Sequence, residues 1–311
     1  MTASTRPKPP PKPGSGATHL AALIGAVVIS FSAIFFALAD VSPVTGAFYR
    51  LVYALPPLLF IWWVKRDQDN RSSRRRWLAF GAGLILGFDM ITWHMAIGYI
   101  GAGLATLIAN SQVIFVAIAA WAIQGERPSK PTMVAIPVVL FGVALVSGVG
   151  QAEAYGENPL LGAALALLAA VFYATFILAF RKSNDAQAPA AGPLLEATIG
   201  GTISVTLFGL LGPGIDFGFS LPSHGWLLAL ALGPHIFGWL LIGYAMPRLP
   251  AVETATIILL QPALTMVWGA MIFQERPSAI QIVGVVIVLA GVSTVAVMRA
   301  RRSEALIPAK A

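Results

Sequence analysis

The chain has 311 residues, of which 57% are apolar and 11% charged, with a formal net charge of +7 and no cysteine. That charged fraction is less than half of what a soluble domain usually carries, which excludes an ordinary soluble globule. The missing cysteine excludes disulfides, thiolate metal sites and a cysteine nucleophile.

The first 18 residues, containing TRPKPPPKPGSG, are basic, rich in proline and too polar to pack, and are read as a disordered cytoplasmic tail. Ten apolar segments follow, at 20–39, 44–64, 77–97, 102–123, 132–149, 160–180, 194–211, 225–245, 251–273 and 279–298. Each approaches the roughly 20 residues that a helix needs to cross a bilayer. A transmembrane β-barrel would show segments of about 10 residues with alternating polarity, and these are twice as long and apolar on every side. Ala37-Leu38-Ala39 mimics a signal-peptide cleavage site, but the apolar stretch before it is long for a signal, so the first segment is expected to be retained.

Lysine and arginine accumulate in cytoplasmic loops. With the N-terminus inside, the two tails and alternate loops collect 18 of the 20 basic residues, six of them between the second and third segments. Arg50 lies within the second segment, and Arg276 is the single basic residue left outside. The positive charge is therefore a topology signal rather than a footprint for nucleic acid.

Arg276 belongs to a repeat. Glu126-Arg127-Pro128-Ser129 recurs as Glu275-Arg276-Pro277-Ser278, and the same 149-residue offset brings Gln112 onto Gln261 and Gly142 onto Gly291. The copies close the fourth and ninth segments, so each unit holds five crossings. An odd number of crossings forces the two units into opposite orientations, the inverted-repeat plan common in secondary transporters. The expected domains are a tail at 1–18, repeats at 19–150 and 151–299, and a tail at 300–311, with both termini cytoplasmic. The motif itself reads as hairpin punctuation, with Pro and Ser starting the next helix. A glutamate at a helix C-terminus is unfavourable unless paired, so Glu126 and Glu275 are each expected to meet an arginine or a helix N-terminus.

These features resemble the EamA-type branch of the drug/metabolite transporter superfamily. The resemblance runs from about residue 20 to 298 and rests on the ten segments in two halves, Pro43 and Arg50 in SPVTGAFYRL, Gly125-Glu126, Gln261-Pro262 and the glutamate that closes the ninth segment. The first half departs from it in carrying Gln112-Val113 where a proline is common. The aromatic-rich interior and the stretch IGYIGAGLATLIANSQVIFVA look most similar to bacterial aromatic amino acid exporters of the YddG type. The resemblance implies a multi-pass plasma-membrane protein of the bacterial inner membrane that exports small organic solutes, with amino acids as the best single guess.

Ionisable residues at membrane depth are costly and point to a pathway that faces away from lipid. Asp89 and His235 each fall near the middle of a segment. Asp89, Trp93 and His94 form a polar and aromatic face, and His235 with Trp239 repeats the i, i+4 spacing. Asn110 follows Thr106 by one turn, and Thr254, Gln261, Thr265 and Trp268 form one stripe. Tyr173 is deep enough to line a cavity. These give a candidate substrate site of Asp89, Trp93, His94, Asn110, Tyr173, His235, Trp239 and Gln261. Asp89, His94 and Arg50 are candidates for ion pairing or proton coupling. For Arg50 an ion pair with Asp40 or another acid stands beside contact with a substrate carboxylate. Glu196 and Glu253 read as carboxylates that suit helix starts.

An enzyme is disfavoured, because neither HExxH nor GxSxG occurs and the histidines lack a clustered third metal ligand; no cofactor or metal is expected. A channel would show a filter or a ring of like charge. The reading is a carrier working by alternating access as a monomer in the lipid bilayer, with protons as a candidate coupling ion and no nucleic-acid partner. The alternatives are export of amphiphilic drugs or other metabolites, and a facilitative, channel-like uniporter.

Overall fold

The computed structural model describes residues 16–124, 130–148, 154–183, 189–245, 257 and 260–305. Within them every regular element is helical. In order these are α1 (Gly16–Ser30), α2 (Ser32–Ala39), α3 (Pro43–Lys65), a 3-10 turn (Arg66–Gln68), α4 (Ser73–Ala109), α5 (Gln112–Gln124), α6 (Lys130–Val146), α7 (Pro159–Ser183), α8 (Ala191–Leu211), α9 (Leu221–Leu230), a π-helical stretch (Ala231–Gly238), α10 (Trp239–Ala245), α11 (Leu260–Phe273) and α12 (Ala279–Ala305). Six helical stretches are long and apolar enough to cross a membrane, and three shorter apolar helices accompany them. Large side chains such as Phe60, Trp77, Phe141, Leu211 and Val286 stand exposed on the outside, as lipid-facing residues do in a protein whose helices must satisfy their own backbone.

The helices break where the sequence gives local cause. The 37 residues of α4 are two helices that meet without a connecting loop. The break falls at Gly101, whose φ of 79° is open to glycine and costly for other residues. The expected boundary between the third and fourth segments thus falls at this break. The expected fourth segment is itself interrupted at Asn110 and Ser111, between α4 and α5. The first segment divides at Phe31. Ser30 sits at that break, where Thr265 Oγ1 donates to its carbonyl at 2.9 Å and Trp268 Nε1 to its hydroxyl at 2.9 Å. Two members of the stripe expected on the ninth segment therefore hold a broken helix together.

The eighth segment begins at Leu221 and widens into the π-helical stretch around Pro234. Proline removes a backbone donor and crowds the preceding turn, and a π-bulge relieves both. Helix α3 opens on SPVT with Ser42 as N-cap, accepting from the Thr45 N–H at 3.3 Å, and Pro43 in its first turn.

Helix α4 packs along α7 and α8, α3 against α8, α6 against α12, and α1 against α10. Small residues permit the close crossings, as expected where lipid removes the hydrophobic drive for helix association. A Cβ on Gly83 would collide with the Ala197 backbone, and one on Gly200 with the Phe80 carbonyl, so α4 and α8 meet backbone to backbone.

Candidate functional site

Arg50 lies about a third of the way along α3 and is 6% exposed. Asp89, a buried acid of α4, and Tyr173 of α7 are its electrostatic neighbours, and its field also reaches His94 and His235. Its Cζ stands 5.9 Å from the centre of the Trp93 ring. Six of the expected residues thus share one buried region built from α3, α4, α7 and the π-helical stretch.

The polar atoms of this region are incompletely satisfied. Arg50 and Asp89 attract one another, but no nitrogen–oxygen pair between them lies within 4.0 Å. Arg50 Nε is buried without a partner, as are His94 Nε2 and His235 Nδ1. Asp40, the other acid considered for Arg50, is exposed at the left-handed end of α2. The expectation of a direct ion pair for Arg50 is corrected on both counts.

Each histidine is anchored through one nitrogen. His94 Nδ1 lies 3.1 Å from the Pro43 carbonyl, which can only accept, so Nδ1 carries the hydrogen. Its ring stacks on Phe36 with centroids 3.7 Å apart and planes 5° apart. His235 Nε2 lies 3.2 Å from Thr198 Oγ1, whose own hydrogen goes to the Leu194 carbonyl at 2.7 Å. The hydroxyl must then accept from Nε2. In each neutral ring the nitrogen left bare is the one without a partner.

Trp239 packs edge-on against Phe176 and Phe180, and Tyr173 stacks with Phe176. Asn110 and Gln261 stand apart. Asn110 Nδ2 donates to the Thr106 carbonyl of its own helix, and the Gln261 carbonyl accepts from Thr265; no described contact joins either to Arg50. Among the described residues no group of three or more His, Asp or Glu side chains is placed to hold a metal ion.

Two further charged sites were assigned only partly by sequence. Glu126 and Arg127 lie outside the described residues, as does Glu253. Glu275 is buried, and its carboxylate accepts from the N–H groups of Ala102 at 2.6 Å and Gly103 at 3.0 Å. It therefore caps the helix that restarts after Gly101. Arg276 is exposed. Burial pushes the Glu275 carboxyl up, and the two backbone donors hold it back. Beside it lies a cavity of about 400 Å³ lined by Tyr99, Tyr155, Glu157 and Phe273 among others.

About 40 Å away along α4, ahead of its first turn, Arg71 donates to both Asp69 oxygens, at 2.8 and 2.9 Å, and to both Glu196 oxygens, at 2.8 and 3.0 Å. The hydrogen bonds from Arg71 hold the Asp69 carboxyl below its ordinary range against the opposing effect of burial. Glu196 does more than suit a helix start: it joins α8 to the α3–α4 connection. Sequence reading counted Arg71 only as a loop charge and passed over Thr198, the anchor of His235. The signal for Arg71 was weak, an Asp two residues before it and a Glu 125 residues after it.

The EamA-like transporter family model matches residues 16–148 and again 160–297. A transporter from Archaeoglobus fulgidus, described as uncharacterized, is 23% identical over 283 residues, covering 88% of this chain and 96% of the relative. The transporter YcbK of Bacillus subtilis, described in the same way, is 24% identical over 246 residues, covering 76% of this chain and 78% of its own. A crystal structure with 16% identity superposes with a TM-score of 0.61 over 93% of this chain and all of the other, a likeness of fold. With nearly the whole chain matched in two successive segments, this multi-pass membrane protein belongs to the EamA-like transporter family.

Proposed function

We propose that the chain is a secondary carrier that exports small organic solutes, with aromatic and other apolar amino acids as the substrates that best suit the site. The observation that carries this reading is the buried Arg50 region, in which ionisable groups deep in an apolar bundle lack internal partners. Such groups are expensive at membrane depth and are retained where they meet a solute or an ion. Structural ion pairs satisfy themselves, as Arg71 does.

The working architecture is ten crossings in two inverted five-helix repeats, spanning 19–150 and 151–299, with both termini in the cytoplasm. It is supported by the repeated ERPS motif, the distribution of basic residues and the twofold match to the family model. In this arrangement α3 and α4 of the first repeat and α7, α8 and the π-helical stretch of the second supply the site together. Rocking of one repeat against the other then changes the side to which it opens. Tyr173, Phe176 and Trp239 offer aromatic surface for a substrate side chain. Asp89 and His94 are the candidates for proton coupling. Asn110 and Gln261 enter the site only through a rearrangement.

The test is efflux from proteoliposomes holding the full chain, across a panel of amino acids and lipophilic cations, with and without a pH gradient. Movement of phenylalanine, tyrosine, tryptophan or leucine supports the reading. Movement of lipophilic cations alone replaces it with drug export, and pH-insensitive exchange removes proton coupling.

A further inference from the structure

We infer that a cleft at the start of α4, on the cytoplasmic side in the topology proposed above, binds an anionic phospholipid, with its phosphate on Arg76 and Arg74 and an acyl chain laid over Trp77 and Phe80. The inference concerns the protein's lipid partner and stands whatever solute is carried.

The cleft holds about 320 Å³ and is lined by Ser73, Arg76, Trp77, Phe80 and Glu196. The first four form one stripe of α4, and Glu196 faces it from α8. One turn further along, Gly83 and Gly200 bring the two helices backbone to backbone, so the cleft lies at the mouth of that crossing. Trp77 is 70% exposed, and Trp63 near the end of α3 is exposed as well. Indole rings settle at the level of lipid head groups, which sets the depth of the cleft. Trp77 meets Phe80 edge-on at 5.6 Å, a ring wall against which an acyl chain can lie.

The charges select an anion. Six basic residues at 65–76 gather with three acids, Asp67, Asp69 and Glu196, and the acids are already engaged. Arg71 donates to both oxygens of Asp69 and both of Glu196, and Asp67 lies 3.8 Å from Arg66. The carboxylate in the cleft wall is therefore neutralised from behind. Among the described residues Arg76 spends only Nη2, on the Asp69 carbonyl at 3.1 Å and near its carboxylate at 3.7 Å. Its Nε and Nη1 are left for a ligand. Arg74 is exposed, one turn before Trp77. Guanidinium groups hold phosphate through several directed bonds, and basic pockets between helices at this leaflet suit lipid head groups. A soluble phosphate would leave Trp77 and Phe80 uncovered, and the choline of a zwitterionic lipid would bring a second cation to the basic cluster.

The test is native mass spectrometry and thermal unfolding of the detergent-solubilised full chain with phosphatidylglycerol or phosphatidylcholine carrying the same acyl chains, and with glycerol phosphate as a free head group. Phosphatidylglycerol is expected to be retained about tenfold more tightly than phosphatidylcholine and to raise the unfolding midpoint further. The preference is expected to shrink to about twofold in the double variant Arg74→Gln, Arg76→Gln, and to persist in the charge-matched double variant Arg181→Gln, Lys182→Gln. Equal retention of the two lipids by the native chain overturns the inference. Equal loss of preference in both double variants also overturns it, since the basic loops would then act only as a diffuse charge. A response to glycerol phosphate as large as that to phosphatidylglycerol replaces the lipid with free phosphate. If the arginine variant does not fold, Trp77→Ala, a change at an exposed ring, decides the location: retention of phosphatidylglycerol is expected to weaken about fivefold, and unchanged retention overturns the assignment.

Discussion

Arg71 and Arg50 are both buried, at 5% and 6% exposure, and both have carboxylates for neighbours. Arg71 spends its fork on four carboxylate oxygens from Asp69 and Glu196. Arg50 makes no such bond, and its Nε has no partner. The difference separates a charge that holds two parts of the protein together from one whose Nε is left without a partner, the group that the proposed function gives to a solute. Burial alone does not mark a functional residue; burial with unspent hydrogen-bonding capacity does.

The widest separation of the two arginines is expected on their replacement by glutamine. Arg71→Gln leaves buried Asp69 with only the more distant Arg76, 3.7 Å away, a loss of roughly 3–5 kcal/mol, seen as a lower unfolding midpoint in detergent. Arg50→Gln is expected to lower transport by about 100-fold while the midpoint stays near that of the native chain, since no made bond is broken. Equal melting of the two variants would erase the distinction.

Gly83→Ala tests whether the helices supporting both sites are set by backbone contact. Its Cβ meets the Ala197 backbone rather than a movable side chain, so overpacking of about 1–3 kcal/mol is expected. Thermal unfolding checks it, and a neutral result would mean that α4 and α8 can slide apart.

The charged sites before the start of α4 and at its break are expected to respond to pH in opposite senses. The Asp69 carboxyl is held low by Arg71. Its contribution is therefore complete above the ordinary aspartate range and is lost as pH falls through the depressed value. The Glu275 carboxyl is pushed up by burial. Its contribution is complete below the ordinary glutamate range and fades as pH rises through the raised value. Unfolding midpoints across pH should lose the acid limb in Asp69→Asn and the upper limb in Glu275→Gln. The latter variant also loses one of two backbone bonds, about 1 kcal/mol.

The smallest effect is expected from Thr198→Val, which removes the acceptor for His235 Nε2. A loss of about 1 kcal/mol is expected. The sharper readout is the imidazole nitrogen shift by NMR, which should show the hydrogen no longer fixed on Nε2.

Much of the helical content was legible because its causes are local. Long apolar runs and the polar punctuation between them are set by neighbouring residues in the chain. The break at Phe31 was not legible, since the Thr265 and Trp268 contacts to Ser30 come from more than 200 residues away. Asp89, Trp93, His94, Tyr173, His235 and Trp239 could be nominated because polar and aromatic residues stand out in an apolar segment. Asn110 and Gln261 stood out for the same reason, yet their described bonds remain within their own helices.

By itself the sequence determined that this protein lives in a bilayer, because 57% apolar composition arranged in long runs has no other stable home. The tertiary structure alone decided which charges are spent. Whether a buried guanidinium is satisfied depends on where Glu196 or Asp89 arrives in space, and hydrogen bonding fails over a few tenths of an ångström. No spacing along the chain carries that information.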